Sequence, residues 1–324
     1  MKVLITTVPF GASNRFPIEM LEQNEIEYLS NPFNKKITED ELISVIADID
    51  VLIAGTEMIS QKVMDAAPKL KLISRVGVGL DGVDLLETRK RGIKVSYTPE
   101  APAPAVAELT IGLLITLLRN VQIANHQLHS GVWERHFGLR IAEATIGIIG
   151  LGRIGQRVLN RLQAFGTPRL LGNDLLPDPN IVRNHKLEWV DKETIYQEAD
   201  AILVHTPLTP DTIGMISEAE LKMMKKTTVL INTARGGIIS EAALHQALKE
   251  KWILGAAIDV FEKEPYDGPL NTLPNCLLTS HMGSMSLDCR ERMEIDATDE
   301  AVRFIKGMEL RSEVPEDEYA LRGN

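Results

Sequence analysis

Short β-branched apolar runs alternate with amphipathic stretches along most of the chain. In the first third, residues 2–7, 27–30, 51–55, 70–76 and 94–97 predict strands. Between them, residues 38–47 repeat apolar positions with a helical period. Thr38 followed by Glu41 supplies a capping box at the start of that helix. Such alternation builds crossover units and a parallel sheet with helices on both faces. Pro99, Pro102 and Pro104 then interrupt the pattern. A proline disfavours helix at the residue before it, so 98–104 reads as a stiff linker entering a long helix at 106–119. The alternation restarts with strands at 144–149, 170–174, 201–205, 228–232, 256–259 and 276–280. Residues 286–306 read as a closing helix, and 313–324 as a polar, mobile tail.

The chain therefore predicts an α/β protein of two doubly wound parallel-sheet domains. The boundaries fall at 1–98 and 99–287, with 288–324 returning to the first domain. A length of 324 residues suits two cores better than one. With 44% hydrophobic and 25% charged residues, the composition is that of an ordinary globular protein. The net charge of −10 argues against a general nucleic-acid binder, which needs a basic face.

No apolar run approaches the ~20 residues of a membrane span, and the longest, 109–118, contains Thr110, Gly112 and Thr116. The apolar start of the chain stops at Pro9 with no small-residue cleavage site after it, so it reads as a first strand rather than a signal peptide. Cys276 and Cys289 show no metal or redox spacing. They read as two reduced thiols of a cytoplasmic protein without a metal site or a membrane partner.

The sharpest local chemistry is at 146–155. A buried strand runs into Gly150-Leu151-Gly152-Arg153-Ile154-Gly155, and a helix follows at 156–165. Gly150 suits a tight turn, Gly152 leaves room for a pyrophosphate, and Gly155 lets helix and strand pack closely. The helix N-terminus offers free amides to the phosphates. Asp174 ends the next strand, at the roughly 20-residue spacing from which a carboxylate grips the ribose hydroxyls. Leu175, Leu176 and Pro177 follow it, with no arginine for a 2′-phosphate. The cofactor expected is NAD.

Three polar motifs fall at the C-terminal ends of later strands: 232–237, 257–265 and 279–284. In an open α/β sheet that edge binds ligands. Hydride transfer to a 2-oxo acid needs a forked cation for carboxylate and carbonyl, a proton donor titrating near neutrality, and a carboxylate to orient that donor. Arg235, His281 and Glu264 supply one of each. Singly, they could be a surface charge, a satisfied polar residue and part of a solvated charge run. Their shared placement beside the glycine cradle favours chemistry. Asp259 either orients loops or a bound nicotinamide, or caps its strand. In the first domain, the glycines around Val76-Gly77-Val78-Gly79 could expose amides to a carboxylate, or form a simple strand–helix turn.

The residues at 75–84, 106–108, 150–155, 205–209, 232–237, 257–265 and 281–284, with Thr212, stand in an order that resembles the D-isomer-specific 2-hydroxyacid dehydrogenases, particularly short phosphoglycerate-dehydrogenase-like members. The resemblance runs from Lys2 to about Lys306. It implies a flavodoxin-like substrate domain, a Rossmann NAD-binding domain inserted into it, a cleft between them and a homodimer built mainly through the NAD domains. It implies NAD-dependent interconversion of a D-2-hydroxy acid and a 2-oxo acid.

By the same resemblance, Arg235 binds substrate, His281 is the acid/base and Glu264 its partner. Val76 and Gly77 meet the substrate by backbone, and Val78 meets the cofactor. Arg153 and Ile154 contact the pyrophosphate. His205, Thr206, Pro207, Thr212, Thr233, Ala234, Asp259 and Gly283 line the cofactor. Phosphoglycerate enzymes usually carry arginine on the loop corresponding to 54–57, where this chain has Ala-Gly-Thr-Glu. A substrate phosphate would need Arg15, Lys35 or Lys36 instead. Members often carry Asn where this chain has Pro102, and formate-oxidising relatives usually place Gln where Glu264 stands. The alternatives left by the family are a true D-3-phosphoglycerate dehydrogenase and an NAD-sensing corepressor-like binding protein.

Overall fold

The computed structural model describes residues 1–166 and 168–322. The chain forms two compact units, Met1–Pro102 with the chain from Met285 onward, and Ala103–Ser284.

The first unit holds five strands: β1 (Lys2–Ile5), β2 (Glu27–Ser30), β3 (Val51–Ala54), β4 (Leu72–Arg75) and β5 (Lys94–Ser96). They pair in parallel in the order β2-β1-β3-β4-β5. This is the flavodoxin-like order, whose direction reverses between β1 and β3. β3 and β4 are buried at every position, as central parallel strands covered on both faces must be. The edge strand β2 is short and largely exposed. The helix Glu39–Val45 opens with the expected capping box. Thr38 Oγ1 accepts from the Glu41 amide, and the Glu41 carboxylate accepts from the Thr38 amide.

The second unit holds β6 (Thr145–Ile149), β7 (Arg169–Asn173), β8 (Glu188–Trp189), β9 (Ala201–Val204), β10 (Val229–Asn232), β11 (Gly255–Ile258) and β12 (Cys276–Leu278). The order β12-β11-β10-β9-β6-β7-β8 is the Rossmann order with one strand added, and it reverses between β6 and β9. Alternate residues feed two separate cores. Ile202, Val204 and Leu230 point to one, while Ala201, Leu203 and Ile231 point to the other.

Two expectations are corrected. The proline-rich stretch is not a linker up to residue 104, because the helix runs Pro102–Leu118. Pro102 and Pro104 occupy its first turn, where the missing N–H groups have no intrahelical acceptor to lose. The tail is not loose either. The Val314 amide donates to Val95 O at 2.9 Å, and Ser96 pairs with Glu313 across an antiparallel bridge. Val314 and Tyr319, the latter on the helix Glu316–Ala320, are buried in the first unit's core. Residues 323 and 324 of the predicted tail lie outside the described residues. The two-residue strand β8 and the helix Val121–His129 carry too little apolar pattern to be expected.

Because the Arg89 guanidinium lies 4.1 Å over the Tyr319 ring and the ring fills the core, Tyr319→Ala is predicted to lower the unfolding free energy by about 3 kcal/mol in urea titration. A loose tail would leave the midpoint unchanged.

Candidate active site

β6 delivers the chain into the glycine turn with its three glycines in distinct settings. Gly150 has φ +96°, and a Cβ there would lie 2.6 Å from the His205 backbone carbon. A Cβ on Gly155 would lie 2.0 Å from Gly150 O. Strand, turn and helix can approach this closely only with glycine at both positions. A Cβ on Gly152 would meet nothing within 4 Å. Gly152 caps the helix Arg153–Leu162 without a side-chain bond, so the first amides of that ten-residue helix face open space. Arg153 is exposed and Ile154 half-buried on its first turn.

Asp174 follows β7 and is half-buried. Its carboxylate accepts from the amides of Leu151 and Leu175, each at 2.6 Å. It is thereby fixed to the glycine turn at the place where a ribose would follow a pyrophosphate. Leu175 and Leu176 are largely exposed.

His205 and Thr206 follow β9 across the switch point from β6. Both ring nitrogens of His205 and the Thr206 hydroxyl are buried with no hydrogen-bond partner among the described residues. Burial lowers the His205 pKa to about 4, so its ring is neutral. Unsatisfied buried polar atoms are costly. Here three cluster beside a glycine cradle. Pro207 is exposed, and Thr212 folds this loop by donating to Pro207 O at 2.7 Å and accepting from the Thr209 amide at 2.8 Å.

The other polar groups stand at the ends of three neighbouring strands. Asn232, Ile258 and Leu278 align across β10, β11 and β12. Arg235, Asp259 and His281 leave just beyond them. Asn232, absent from the sequence-predicted site, folds the first turn. Its side chain accepts from the Ala234 amide at 3.0 Å and donates to Arg235 O at 2.8 Å. Its signal was an Asn ending an apolar strand ahead of the arginine. Thr233 is buried, its hydroxyl bonded to that of Thr110 at 2.8 Å, and Ala234 O accepts from Arg235 at 2.7 Å.

Asp259, 1% exposed, holds the last turn. Its carboxylate accepts from Thr279 Oγ1 at 2.6 Å and from the amides of Met282 and Gly283, both at 2.9 Å. Its backbone carbonyl accepts from the His281 amide at 2.8 Å. This network fixes His281 at φ +51°, a left-handed conformation that costs a non-glycine residue of order 1–3 kcal/mol. Of the two roles open for Asp259, the geometry displays loop orientation. His281 Nδ1 then meets Glu264, at 3.0 Å from Oε1 and 2.8 Å from Oε2. Glu264 Oε1 also accepts from the Phe261 amide at 3.1 Å. With Nδ1 committed to the carboxylate, Nε2 is the nitrogen left to exchange a proton with a ligand.

The first unit carries its own glycine turn after β4, and its expected backbone groups differ in what they bond. The Val76 amide donates to Ala54 O at 2.9 Å and the Gly77 amide to Thr98 Oγ1 at 2.8 Å. Both are consumed in fixing the turn. The amides of Val78 and Gly79, both half-buried, have no bonded partner among the described residues. The sequence marks Gly79 as one of two candidate glycines but does not say which amides of the turn its own fold consumes.

A family model described as D-isomer specific 2-hydroxyacid dehydrogenase, NAD binding domain, matches residues 111–283. The chain belongs to that family. It is 39% identical over 280 residues to a glyoxylate reductase of Thermofilum pendens, covering 83% of this chain and 82% of that protein. It is 38% identical over 297 residues to a D-3-phosphoglycerate dehydrogenase of Methanocaldococcus jannaschii, covering 90% of this chain and 55% of that protein. The crystal structure of a glyoxylate reductase from Paecilomyes thermophila matches with a TM-score of 0.86 at 27% identity, covering 98% of this chain and 99% of that one.

This 2-hydroxyacid dehydrogenase is an NAD-dependent oxidoreductase that interconverts D-2-hydroxy acids and 2-oxo acids. Its second unit fits the cofactor on its own geometry, through the open space at Gly152, the carboxylate of Asp174 and the unpartnered atoms of His205 and Thr206. Both cysteines are free and buried, and burial pushes Cys276 up to about 12 and Cys289 up to about 11. Thiolate chemistry plays no part at neutral pH.

A methyl on Gly152 would meet no protein atom but would occupy the space in front of the helix amides. Gly152→Ala is therefore predicted to leave the melting temperature unchanged while raising the NADH dissociation constant about tenfold or more in fluorescence titration. Unaltered NADH affinity would remove the cradle from this role.

Proposed function

We propose that the enzyme reduces a small 2-oxo acid to its D-2-hydroxy acid, with Arg235, His281 and Glu264 as the groups that act on the substrate. The pairing of His281 Nδ1 with both oxygens of Glu264 is the observation that carries the proposal. Arg235 holds carboxylate and carbonyl through its planar fork. Val78 and Gly79 offer amides to a carboxylate. Arg153, Ile154, Asp174, His205, Thr206, Thr233, Ala234 and Gly283 hold the cofactor. Bound NADH supplies the hydride to the carbonyl carbon. His281, protonated, donates from Nε2 to the carbonyl oxygen and ends neutral. Glu264 stabilises the imidazolium before that transfer. In the oxidative direction the neutral ring takes the hydroxyl proton back.

With glyoxylate and NADH as reactants, His281→Ala is expected to lower kcat by roughly 10²–10⁴, the usual worth of general acid catalysis, with NADH binding retained. Glu264→Gln removes the anion that favours the protonated ring. That variant should then lower kcat of the reduction about tenfold or more with NADH binding retained. Near-full turnover by either variant would refute these assignments.

We also infer a homodimer built on the second unit. The helix Val121–His129 buries none of its residues, and Val121, Leu128, Val132, Trp133 and Phe137 are exposed there, the last two almost completely. The segment after the helix is ordered against it: Gln127 bonds Glu134 and His136, and the Asn120 side chain donates to Phe137 O. An ordered apolar surface of this kind is a protein interface, and a second copy of the chain is its occupant. Trp133→Glu combined with Phe137→Glu should halve the mass measured by light scattering. A monomeric wild type would exclude the dimer.

A further inference from the structure

Glu57 lies beyond β3, at the carboxyl end of the first unit's sheet and beside its switch point. Open α/β sheets take ligands at that place. The side chain is only 3% exposed. Its carboxylate accepts from the Thr6 hydroxyl, and from the Gly55 amide at 3.1 Å. No basic side chain forms an ion pair with it among the described residues. Thr7 stands next to it, its Oγ1 3.0 Å from where a Cβ on Gly55 would sit. That hydroxyl is buried and has no hydrogen-bond partner among the described residues. A buried carboxylate without a counter-cation and a buried hydroxyl without a partner both cost free energy. The first unit keeps the two together on its ligand edge.

The same edge carries the glycine turn after β4. β3 and β4 are neighbours with Ala54 opposite Arg75, so the loops holding Glu57 and Val78–Gly79 leave adjacent strands. They also touch further on, since a Cβ on Gly82 would come within 2.9 Å of Glu57 O. Arg75 donates to the carbonyls of both loops, Ala54 O and Gly79 O, and so ties them together. A substrate whose carboxylate sits on the Val78 and Gly79 amides would therefore have the Glu57 loop as its neighbour on this edge. Two of the cations that could offset a second anion are engaged elsewhere, Arg15 with Glu22 at 2.6 Å and Lys35 with Glu41 at 2.7 Å.

We propose that Glu57 is a specificity-determining residue that turns away 2-oxo acids ending in phosphate or a second carboxylate and admits those whose far end is neutral. This rests on the proposal that Val78 and Gly79 receive the substrate carboxylate. Glu57 acts through its field rather than as a catalytic residue.

The test is the ratio of kcat/KM for the phosphate ester of hydroxypyruvate to that for hydroxypyruvate, both with NADH. A ratio is independent of the folded fraction of a variant. In the wild type it should be well below one. Glu57→Gln should raise it about tenfold or more, the scale on which close charges interact inside a protein, and Glu57→Asp should hold it near the wild-type value. A wild-type ratio near or above one overturns the inference without any variant. So does a ratio that Glu57→Gln leaves unmoved, while continued turnover of hydroxypyruvate would leave the proposed chemistry standing. If no 2-oxo acid is reduced at all, the chemistry itself falls, and this inference with it.

Discussion

The buried carboxylate of Asp259 is the constraint on which the catalytic edge depends. Three donors from residues 279–283 converge on it, and its own carbonyl takes the His281 amide. His281 sits in a left-handed conformation that an isolated turn would not keep. The hydrogen bonds offset that cost and leave the imidazole aimed at Glu264. Removing the carboxylate would leave its donors unpartnered and the ring free to relax. The same device recurs at the neighbouring strand, where the Asn232 side chain bonds both ends of the turn carrying Arg235, and at β7, where Asp174 bonds the glycine turn. In each case a polar side chain at a strand end is spent on backbone, and the loop becomes rigid enough to place a reacting group.

The two doubly wound units use their ligand edges in opposite ways. The second leaves donors and orphaned atoms open at Gly152, His205 and Thr206. The first leaves two turn amides open and buries a carboxylate on the loop of the adjacent strand. One edge is therefore suited to a large anionic ligand. On the proposed role of Glu57, the other suits one small carboxylate with little tolerance for a second charge.

Much of this was legible in the chain. Central strands such as 51–54, 201–204 and 229–232 are buried on both faces, so they stand out as continuous apolar runs. The glycine cradle and the trio Arg235, Glu264 and His281 could be named because each follows such a run. What was illegible depends on context. Proline signals both a stop and a helix start, and only the following turn decides between them at Pro102. The tail reads as polar because, among its described residues, Val314 and Tyr319 are the apolar side chains it gives to the core cluster. Which amides of residues 76–79 stay free depends on Thr98 and Ala54, far away in sequence. The burial of Glu57 likewise arises from neighbours just past β1 and past β4.

A chain of net charge −10 that binds an anionic cofactor and an anionic substrate poses an electrostatic question. Distant surface charges are screened beyond ~10 Å at moderate ionic strength, so the answer must be local. The donors proposed here are mostly backbone: the helix amides behind Gly152 and the amides of Val78 and Gly79. Peptide dipoles carry partial charges that need no counter-ion, are fixed by the fold and do not titrate. At the first unit's turn they stand with one buried cation, Arg75, whose guanidinium donates to Ala54 O and Gly79 O. Full positive charges are proposed only at Arg153, on the cofactor, and at Arg235, where bidentate geometry is needed to orient a carbonyl rather than merely to hold a ligand. On this division, backbone provides affinity, and the few charged side chains provide direction at Arg235 and exclusion at Glu57.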